Sequence, residues 1–354
     1  MAIIDRSTDF FRIRLYTGNN NAQNMTWVET DTNMKPDLLW IKSYAGNTVF
    51  DHVIGDVVRG GGKYIVPNTT AAEVNNGNVI NTFNTNGFSV GGATQVSEAS
   101  RSYVAWGWKA SNTTATNTAG SIDSTVSVNT AAGFSVVGYS GTNGTATVGH
   151  GLGVAPKMII FKYYSSGKNW VTYQASLGAT KSMYLDENNI ASSTYDYFAD
   201  TEPTSTVFTV KKDGSYDEVN NGSASFIAYC FRDVPSFSKF GGYLVNSSSS
   251  NFIYTGFKVG WLMVKQTDSG GNTNWGMFDH KRPGFNSKNS FLYANTNAAE
   301  DASNATSIDL LSNGFKLRAN TVGANPGKTY TYMAFASNPF VTSTDNNSIP
   351  VTAR

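Results

Sequence analysis

The feature of this sequence that most constrains its fold is a set of landmarks that occurs three times in the same order. In each set an apolar run ends in a lysine, and an alanine with aromatic neighbours follows at a nearly constant distance along the chain. The lysines are Lys42, Lys162 and Lys265, and the alanines are Ala105, Ala228 and Ala334. A turn of tyrosine, a small residue and glycine precedes each run, starting at Tyr16, Tyr139 and Tyr254. This order predicts three copies of one folded unit.

Shorter matches support the same division of the chain. The dipeptides Asn86-Gly87 and Asn313-Gly314 each come before a strand-like segment, which is a strong signal for a hairpin turn. Phe50-Asp51 matches Phe278-Asp279 in the same way. Each copy has the size of an ordinary domain. The predicted domains are module 1 at 1–112, module 2 at 113–235 and module 3 at 236–354.

Composition predicts the fold class of these modules. Charged residues make up 14% of the 354 residues, aromatic residues make up 13%, and there are 34 glycines. A chain rich in turn formers and aromatic residues, with short alternating segments and no helical period beyond two turns, is typical of an all-β protein. We therefore expect three tandem β-sandwiches.

The apolar runs carry a further expectation. Leu38–Ile41 and Met158–Phe161 do not alternate between apolar and polar residues, so both faces of each strand should be covered. One face belongs to the core of the module. The other face needs a neighbouring module or another copy of the chain, and the alternative is a central strand overlaid by a long loop.

Several classes of protein do not fit the sequence. The single Cys230 cannot form an internal disulfide, and no apolar run is long enough for a membrane helix. No signal peptide is visible, so we expect the protein to be made in a cytoplasm. The net charge is +1, which argues against nucleic-acid binding through bulk electrostatics.

The sequence contains only weak evidence for catalytic groups. His52, His150 and His280 stand at different places in the modules and have no metal-ligand spacing, so we expect structural roles and neither a metal nor a cofactor. The run from Gly87 to Gly91 matches G-x-S-x-G around Ser89, but that motif needs a following helix, which the sequence does not predict. We interpret it as a turn entering a strand, and we expect no enzymatic activity.

Carboxylates and tryptophans are the remaining candidates. Asp186-Glu187, Asp217-Glu218 and Glu300-Asp301 are adjacent pairs, but neighbours on a strand point to opposite faces and do not make a catalytic pair. Trp170 and Trp275 recur at equivalent places. An exposed aromatic ring can stack on a sugar. A core position repeats in every copy of a fold, whereas a binding site need not, so we interpret these two tryptophans as packing residues.

With the modules laid out, the sequence resembles the three-repeat virion structural proteins of marine tailed bacteriophages, notably cyanophages and pelagiphages. The resemblance covers nearly the whole chain and implies that the sandwiches are of a lectin-like or jelly-roll-like kind. It departs where residues 52–58 intervene before Arg59-Gly60, and where module 3 opens at Tyr243 without the usual Tyr-Thr-Gly. It is carried by the segments 11–18, 36–42, 147–153, 203–208, 312–318 and 350–354.

This resemblance implies a phage structural protein of the tail-fibre or adhesin class, located in the virion, that makes multivalent contact with a host surface. Alternatives are a capsid decoration or head-fibre protein, a glycan-degrading tailspike-type depolymerase and a free lectin-type module. The expected partners are other copies of the chain, with a trimer implied by the resemblance, other virion proteins, and a host-surface glycan or protein. No nucleic acid and no membrane insertion are expected. The receptor-binding residues stay unassigned.

Overall fold

The computed structural model describes residues 4–29, 32–46, 50–246, 251–269, 274–282, 286, 290–301, 308–318, 322–339, 341–344 and 347–350. In these residues the chain is almost entirely β-structure. The helical segments are a 3-10 turn at Ser7–Asp9 and one turn of α-helix, α1, at Thr94–Ser97. All pairs of named strands are antiparallel. The predicted all-β class is confirmed.

The first third of the chain builds one four-stranded sheet, one three-stranded sheet and a short ribbon. The strands are β1 Phe11–Thr17, β2 Gln23–Thr26, β3 Leu38–Ala45, β4 Val53–Asp56, β5 Lys63–Tyr64, β6 Val74–Asn75, β7 Ile80–Asn84, β8 Gly87–Val90 and β9 Ser102–Trp108. The large sheet has the order β1-β9-β3-β4, the smaller sheet has the order β2-β8-β7, and β5 pairs with β6. These strands form the first sandwich.

The second third builds a seven-stranded sheet and a two-stranded sheet. The strands are β10 Ala115–Asn117, β11 Ser124–Asn129, β12 Phe134–Ser140, β13 Thr145–Gly149, β14 Met158–Tyr163, β15 Trp170–Gln174, β16 Met183–Tyr184, β17 Val207–Lys211 and β18 Ser225–Phe231. The large sheet has the order β10-β11-β12-β18-β14-β15-β16, and β13 pairs with β17. These strands form the second sandwich.

The last third builds a five-stranded sheet, a three-stranded sheet and a terminal hairpin. The strands are β19 Ser238–Leu244, β20 Phe252–Tyr254, β21 Phe257–Gln266, β22 Gly276–Asp279, β23 Leu292–Tyr293, β24 Ile308–Leu311, β25 Gly314–Leu317, β26 Thr329–Pro339, β27 Val341–Thr344 and β28 Asn347–Pro350. The orders are β19-β26-β21-β22-β23 and β20-β25-β24, and β27 pairs with β28. Strands β19 to β26 form the third sandwich.

The large sheets of the three sandwiches share one strand order. The series β1-β9-β3-β4 has the same connectivity as β12-β18-β14-β15 and β19-β26-β21-β22. The cross-strand register agrees as well, because Lys42 faces Val104, Lys162 faces Ile227 and Lys265 faces Thr331. This shared order is what three repeats would give. The predicted boundaries near residues 112 and 235 stay predictions.

The register changes three of the matches proposed from the sequence. On the equivalent strands β1, β12 and β19, Tyr16 and Tyr139 occupy the place that Tyr243 holds in the third sandwich, whereas Tyr254 lies on β20 of the smaller sheet. Asp56, and not Asp51, takes the place of Asp279. The residue paired with the one before the recurring lysine is Ala105 in the first sandwich and Ala228 in the second, but in the third it is Tyr332 and not Ala334. The mismatches arose because short local motifs outweighed the position of each residue in the sheet.

Each sandwich has its own core between its large and small sheets. In the first, Leu39 and Ile41 of β3 pack in one cluster with Phe88 of β8. In the third, Leu262 and Val264 of β21 occupy the corresponding places. The second sandwich repeats the arrangement around Ile159 and Phe161 of β14. The predicted β-sandwich character is confirmed.

The opposite faces of the three large sheets meet in one central core. This core contains Trp40, Trp106 and Trp108 from the first sandwich, Ile160, Tyr229 and Phe231 from the second, and Trp261, Met333 and Phe335 from the third. The ring centroids of Trp108 and Trp261 lie 5.5 Å apart, and those of Phe231 and Phe335 lie 5.9 Å apart. The sandwiches therefore pack around a common centre.

The central core explains the apolar runs. Along β3, Leu38 and Trp40 face the central core, while Leu39 and Ile41 face the core of their own sandwich. Both faces are buried, as the runs predict, and the cover comes from the sister sheets of the same chain. The expected homo-oligomer consequently loses the support of the apolar faces. It stays a prediction that depends on the resemblance alone.

Candidate functional site

One structural position recurs at the contacts between sandwiches, which we call the seams. It is the residue that the sheet register places opposite the recurring lysine, and it is occupied by His52, Trp170 and Trp275. In each case a ring nitrogen lies within hydrogen-bond distance of a backbone carbonyl oxygen in another sandwich. The contacts are His52 Nε2 to Tyr293 at 3.0 Å, Trp170 Nε1 to Val66 at 3.1 Å and Trp275 Nε1 to Tyr184 at 2.9 Å.

The tautomer of His52 follows from its two partners. The indole Nε1 of Trp40 donates to Nδ1 of His52 at 2.9 Å, so Nδ1 carries no hydrogen. Nε2 therefore carries the hydrogen and donates to the carbonyl oxygen of Tyr293. Burial lowers the pKa of His52 well below its ordinary value, and the nearby charge of Lys42 lowers it further. At neutral pH this histidine is an uncharged structural donor.

The three recurring lysines lie beside the same position. Lys42 Nζ donates to the carbonyl oxygens of Phe50 at 2.6 Å and of Asn297 at 2.8 Å, and the second of these belongs to the third sandwich. Lys162 Nζ donates to the carbonyl oxygen of Thr70 in the first sandwich at 2.9 Å. Lys42 and Lys162 consequently each tie one sandwich to another.

Tryptophan rings and burial complete the environment of the lysines. Lys162 Nζ lies 5.4 Å from the ring centroid of Trp170, and Lys265 Nζ lies 5.7 Å from that of Trp275. Burial lowers the pKa of Lys42 and of Lys265 to about 7, and that of Lys162 to about 8. The seams thus contain amines that titrate near neutrality.

Trp170 and Trp275 are packing residues. Their exposed fractions are 0% and 1%, so neither ring can present a face to a sugar. The packing interpretation of this pair is confirmed. That His52 holds the same structural position in the first sandwich could not be predicted, because histidine and tryptophan share little beyond an aromatic N–H.

A buried arginine makes equivalent ion pairs in two sandwiches. Arg59 Nε lies 2.6 Å from Asp56, and Arg282 Nε lies 2.6 Å from Asp279. Each guanidinium also reaches a glutamate, and for Arg282 this is Glu300 at 2.6 Å. The Tyr229 hydroxyl of the second sandwich donates to Asp56 at 2.8 Å. The carboxylate of Glu300 therefore belongs to a structural network.

The other catalytic candidates are also built into the scaffold. Ser89 is buried in the middle strand of the smaller first sheet, and its hydroxyl pairs with that of Thr82. His150 accepts from the Leu152 N–H at 3.1 Å through Nδ1. His280 Nδ1 lies 3.0 Å from the carbonyl oxygen of Gly260. Within the described ranges, no three His, Cys, Asp or Glu side chains gather as a metal site requires.

A groove of about 290 Å³ opens beside β16 in the second sandwich. Hydroxyl and amide groups and two apolar faces line most of it. These residues are Ser182, Asn189, Ile190, Ser192, Thr194 and Tyr195, and the half-buried Tyr184 also faces it. The volume suits a small ligand, and the mixture of apolar faces and placed polar groups is typical of a ligand-binding cleft.

Aromatic packing supports the wall of the groove. The ring centroids of Tyr195 and Tyr216 lie 3.8 Å apart, with their planes tilted by 32°. The exposed fraction of Tyr216 is 41%. Behind this pair, the connection from Ser192 to Val207 is anchored by an ion pair of 2.6 Å between Asp196 and Lys211. The wall is therefore held in place before any ligand arrives.

A hydrogen-bonded chain leads from the groove to a buried carboxylate. The Tyr197 hydroxyl donates to Glu218 at 2.9 Å and lies 2.6 Å from the Tyr184 hydroxyl. Because Tyr197 gives its hydrogen to the carboxylate, Tyr184 donates to Tyr197, and its own oxygen keeps lone pairs. Burial, and then the charges of Glu218 and Glu187, raise the pKa of Tyr184 above its ordinary value. This neighbourhood is negative.

The sequence analysis missed the groove. Asp186-Glu187 and Asp217-Glu218 were considered only as adjacent pairs, whereas the fold brings Glu187 and Glu218 from different pairs to the same tyrosines. The length of one connection could have indicated it. The segment between Ser192 and Val207 in the second sandwich is much longer than the corresponding segment between Asn75 and Ile80 in the first.

Comparison with known proteins gives a family and no function. Searches of curated proteins and of solved structures found no match. No helix among the described residues has the length and apolar character to cross a membrane. A family described as a domain of unknown function, DUF7483, matches residues 6–339, which include all three sandwiches. The chain therefore belongs to the DUF7483 family.

Proposed function

We propose that this protein is a structural component of a bacteriophage virion, of the tail-fibre or adhesin class, and that it contacts the host surface. The observation that carries the proposal is the single central core that unites all three large sheets. A chain that buries its apolar strands in a core shared by all three sandwiches forms one packed body. Such a body suits repeated, passive contact with a surface.

The resemblance to virion structural proteins supports the proposal from the sequence. Two of the segments that carry it cover β1 and the beginning of β3, which lie in the large sheet of the first sandwich. A third covers β25 in the smaller sheet of the third sandwich. The similarity is therefore carried by scaffold strands as well as by loops, as expected for a shared architectural role.

Location in the particle tests the proposal. Phage particles that encode the chain would be purified by density gradient, quantified by mass spectrometry and labelled with an antibody against the chain. We expect a fixed copy number per particle and label at the tail. Label over the capsid would favour the decoration or head-fibre alternative, and absence of the chain from purified particles would contradict a structural role.

Partners follow from the same proposal. Other virion proteins would anchor the chain, and weak contacts with a host glycan or protein would add up through multivalency. A homotrimer remains part of the proposal because the resemblance implies it. Sedimentation at micromolar concentration tests it, and a stable monomer would count against self-association.

A further inference from the structure

We propose that the groove beside β16 binds neutral saccharide units. This inference rests on the proposed function, because it names the chemistry of the host surface that the protein would contact. It is carried by three observations on the described residues. These are an aromatic wall, a set of polar groups that can hydrogen-bond to ligand hydroxyls, and a strand edge whose backbone groups are hydrogen-bonded within the chain.

The aromatic wall supplies a surface for a sugar ring. Tyr195 lines the groove and packs on Tyr216, so one ring is fixed by the other. A tyrosine offers a flat apolar face together with a polar edge, which matches the C–H face and the hydroxyl rim of a pyranose. Ile190, with an exposed fraction of 37%, adds a second apolar contact.

The polar groups of the groove suit an uncharged, hydroxyl-rich ligand. Ser182, Ser192 and Thr194 offer hydroxyls that can donate and accept. Asn189 is oriented by a hydrogen bond from its Nδ2 to Glu187. The oxygen of Tyr184 has lone pairs that can accept from a ligand hydroxyl, since its hydrogen is directed to Tyr197.

Charge in the neighbourhood discriminates between classes of saccharide. Glu187 accepts a hydrogen bond from Asn189, which lines the groove, and Glu218 accepts one from Tyr197, which is bonded to Tyr184. The nearby Lys168 is ion-paired with Asp217 at 2.6 Å. Because an anionic sugar would meet carboxylates here, repulsion should exclude uronic acids and sialic acids, and neutral sugars are the class that fits.

A peptide fits less well than a saccharide. Extended peptides bind by adding a strand to a free sheet edge. At this edge the N–H of Ser182 donates to the carbonyl oxygen of Ser192, and the N–H of Ser192 donates back, both at 2.9 Å. The backbone groups that a peptide would use are therefore already paired.

Among the described residues, the groove lies in the second sandwich. Its wall comes from the connection between Ser192 and Val207, which is longer than the connections from Asn75 to Ile80 and from Asp301 to Ile308. The described residues of each chain would thus present this site once. Binding by a single copy should be weak, and particles with several copies would bind through effective concentration.

The experiment uses the purified full chain and four defined probes, which are maltohexaose, cellohexaose, chitohexaose and hexagalacturonate. Isothermal titration would be performed on the wild type and on Tyr195→Ala, Tyr195→Phe and Tyr254→Ala. Tyr254 is an exposed tyrosine on β20 of the third sandwich, with an exposed fraction of 55%, and it serves as the matched control. Circular dichroism would verify that each variant is folded.

We expect saturable binding of at least one neutral hexasaccharide, a loss of at least about tenfold in Tyr195→Ala, and near wild-type affinity in Tyr195→Phe and Tyr254→Ala. Failure of all neutral probes to bind, preference for hexagalacturonate, or an equal loss in Tyr254→Ala would overturn the proposal. Attachment to a host-surface protein that neutral hexasaccharides do not inhibit would also overturn the proposal.

If the chain is in purified particles but binds none of these sugars, the saccharide proposal fails and the virion role stands. If the chain is absent from particles, the proposed function fails whatever the chain binds.

Discussion

The Nε2–H of His52 donates to the carbonyl oxygen of Tyr293, 3.0 Å away and 241 positions later in the chain. Two further bonds join the same segments, from Lys42 Nζ to Asn297 and from the N–H of Glu300 to the carbonyl oxygen of Tyr44 at 2.9 Å. The third sandwich therefore contacts the first. Because the second contacts both, the three sandwiches close into a ring within one chain.

Removal of the closing histidine should weaken the ring. We expect His52→Ala to lower the free energy of unfolding by about 2–4 kcal/mol, because it leaves the Trp40 indole and the Tyr293 carbonyl without their partner. Urea unfolding followed by circular dichroism measures this. His280→Ala is the control, since His280 bonds to Gly260 inside the third sandwich, and a loss of about 1 kcal/mol is expected there. Equal losses would contradict the ring-closing role.

Two buried tryptophans should respond differently to the same substitution. Trp261 lies in the central core, and its Nε1 has no hydrogen-bond partner in the part of the chain that the structure describes. Trp275 is equally buried, and its Nε1 donates to Tyr184 at 2.9 Å. Trp261→Phe removes an unpaired donor, whereas Trp275→Phe removes a paired one.

We therefore expect Trp275→Phe to cost about 1–2 kcal/mol more than Trp261→Phe, with the loss of the contact between Lys265 and Trp275 acting in the same direction. Both substitutions remove a similar volume, so each variant acts as the size control for the other. The difference in urea midpoint measures the effect. A larger cost for Trp261→Phe would show that its N–H has a favourable role.

Stability should rise with pH above neutrality because of the three seam lysines. Their folded pKa values of about 7, 8 and 7 lie below the ordinary value of 10.5. Between about pH 7 and pH 9 the unfolded chain binds more protons than the folded chain, so deprotonation favours the folded state. Each lysine contributes a slope of up to about 1.4 kcal/mol per pH unit.

The variant Lys42→Met tests this titration directly. It keeps the length and apolar stem of the side chain and removes the ionisable amine, so the rise in urea midpoint between pH 7 and pH 9 should become smaller. Lys181→Met, at an exposed lysine, should keep the wild-type dependence. Identical pH profiles in all three proteins would contradict the assignment of the rise to the seam lysines.

The serine of the G-x-S-x-G phrase should have no role in hydrolysis. Ser89 is paired with Thr82 inside a sheet, so Ser89→Ala should cost no more than about 1 kcal/mol of stability and leave binding to the host surface unchanged. The assay is release of reducing ends from host-surface glycan. Activity in the wild type that disappears in Ser89→Ala would establish the nucleophile that we predict to be absent.

Local sequence patterns predicted the sheets well. The apolar runs around Leu39 and Ile159 required two covered faces, and both faces are buried. The Asn86-Gly87 phrase predicted a hairpin, although the loop is Thr85 and Asn86, and Gly87 already pairs with Asn84 as the first residue of β8. These signals succeed because burial and turn geometry depend on neighbouring residues.

Contacts between distant segments were harder to predict. Nothing in the apolar runs distinguishes a sister sheet from another copy of the chain, so the same pattern led to the expectation of a homo-oligomer. Every residue has a backbone carbonyl oxygen, so the sequence cannot show that the one of Tyr293 is the partner of His52. The groove was missed for a similar reason, because Tyr195 and Tyr216 meet only through the fold of a long connection.

The position shared by His52, Trp170 and Trp275 has an evolutionary consequence. An assembly of three identical chains must carry the same residue at every contact, and any mutation there changes all three contacts at once. Here one gene encodes the three contacts separately. A single base change can alter one of these contacts while the other two still hold the three sandwiches together, so mutations can change the contacts of this chain one at a time.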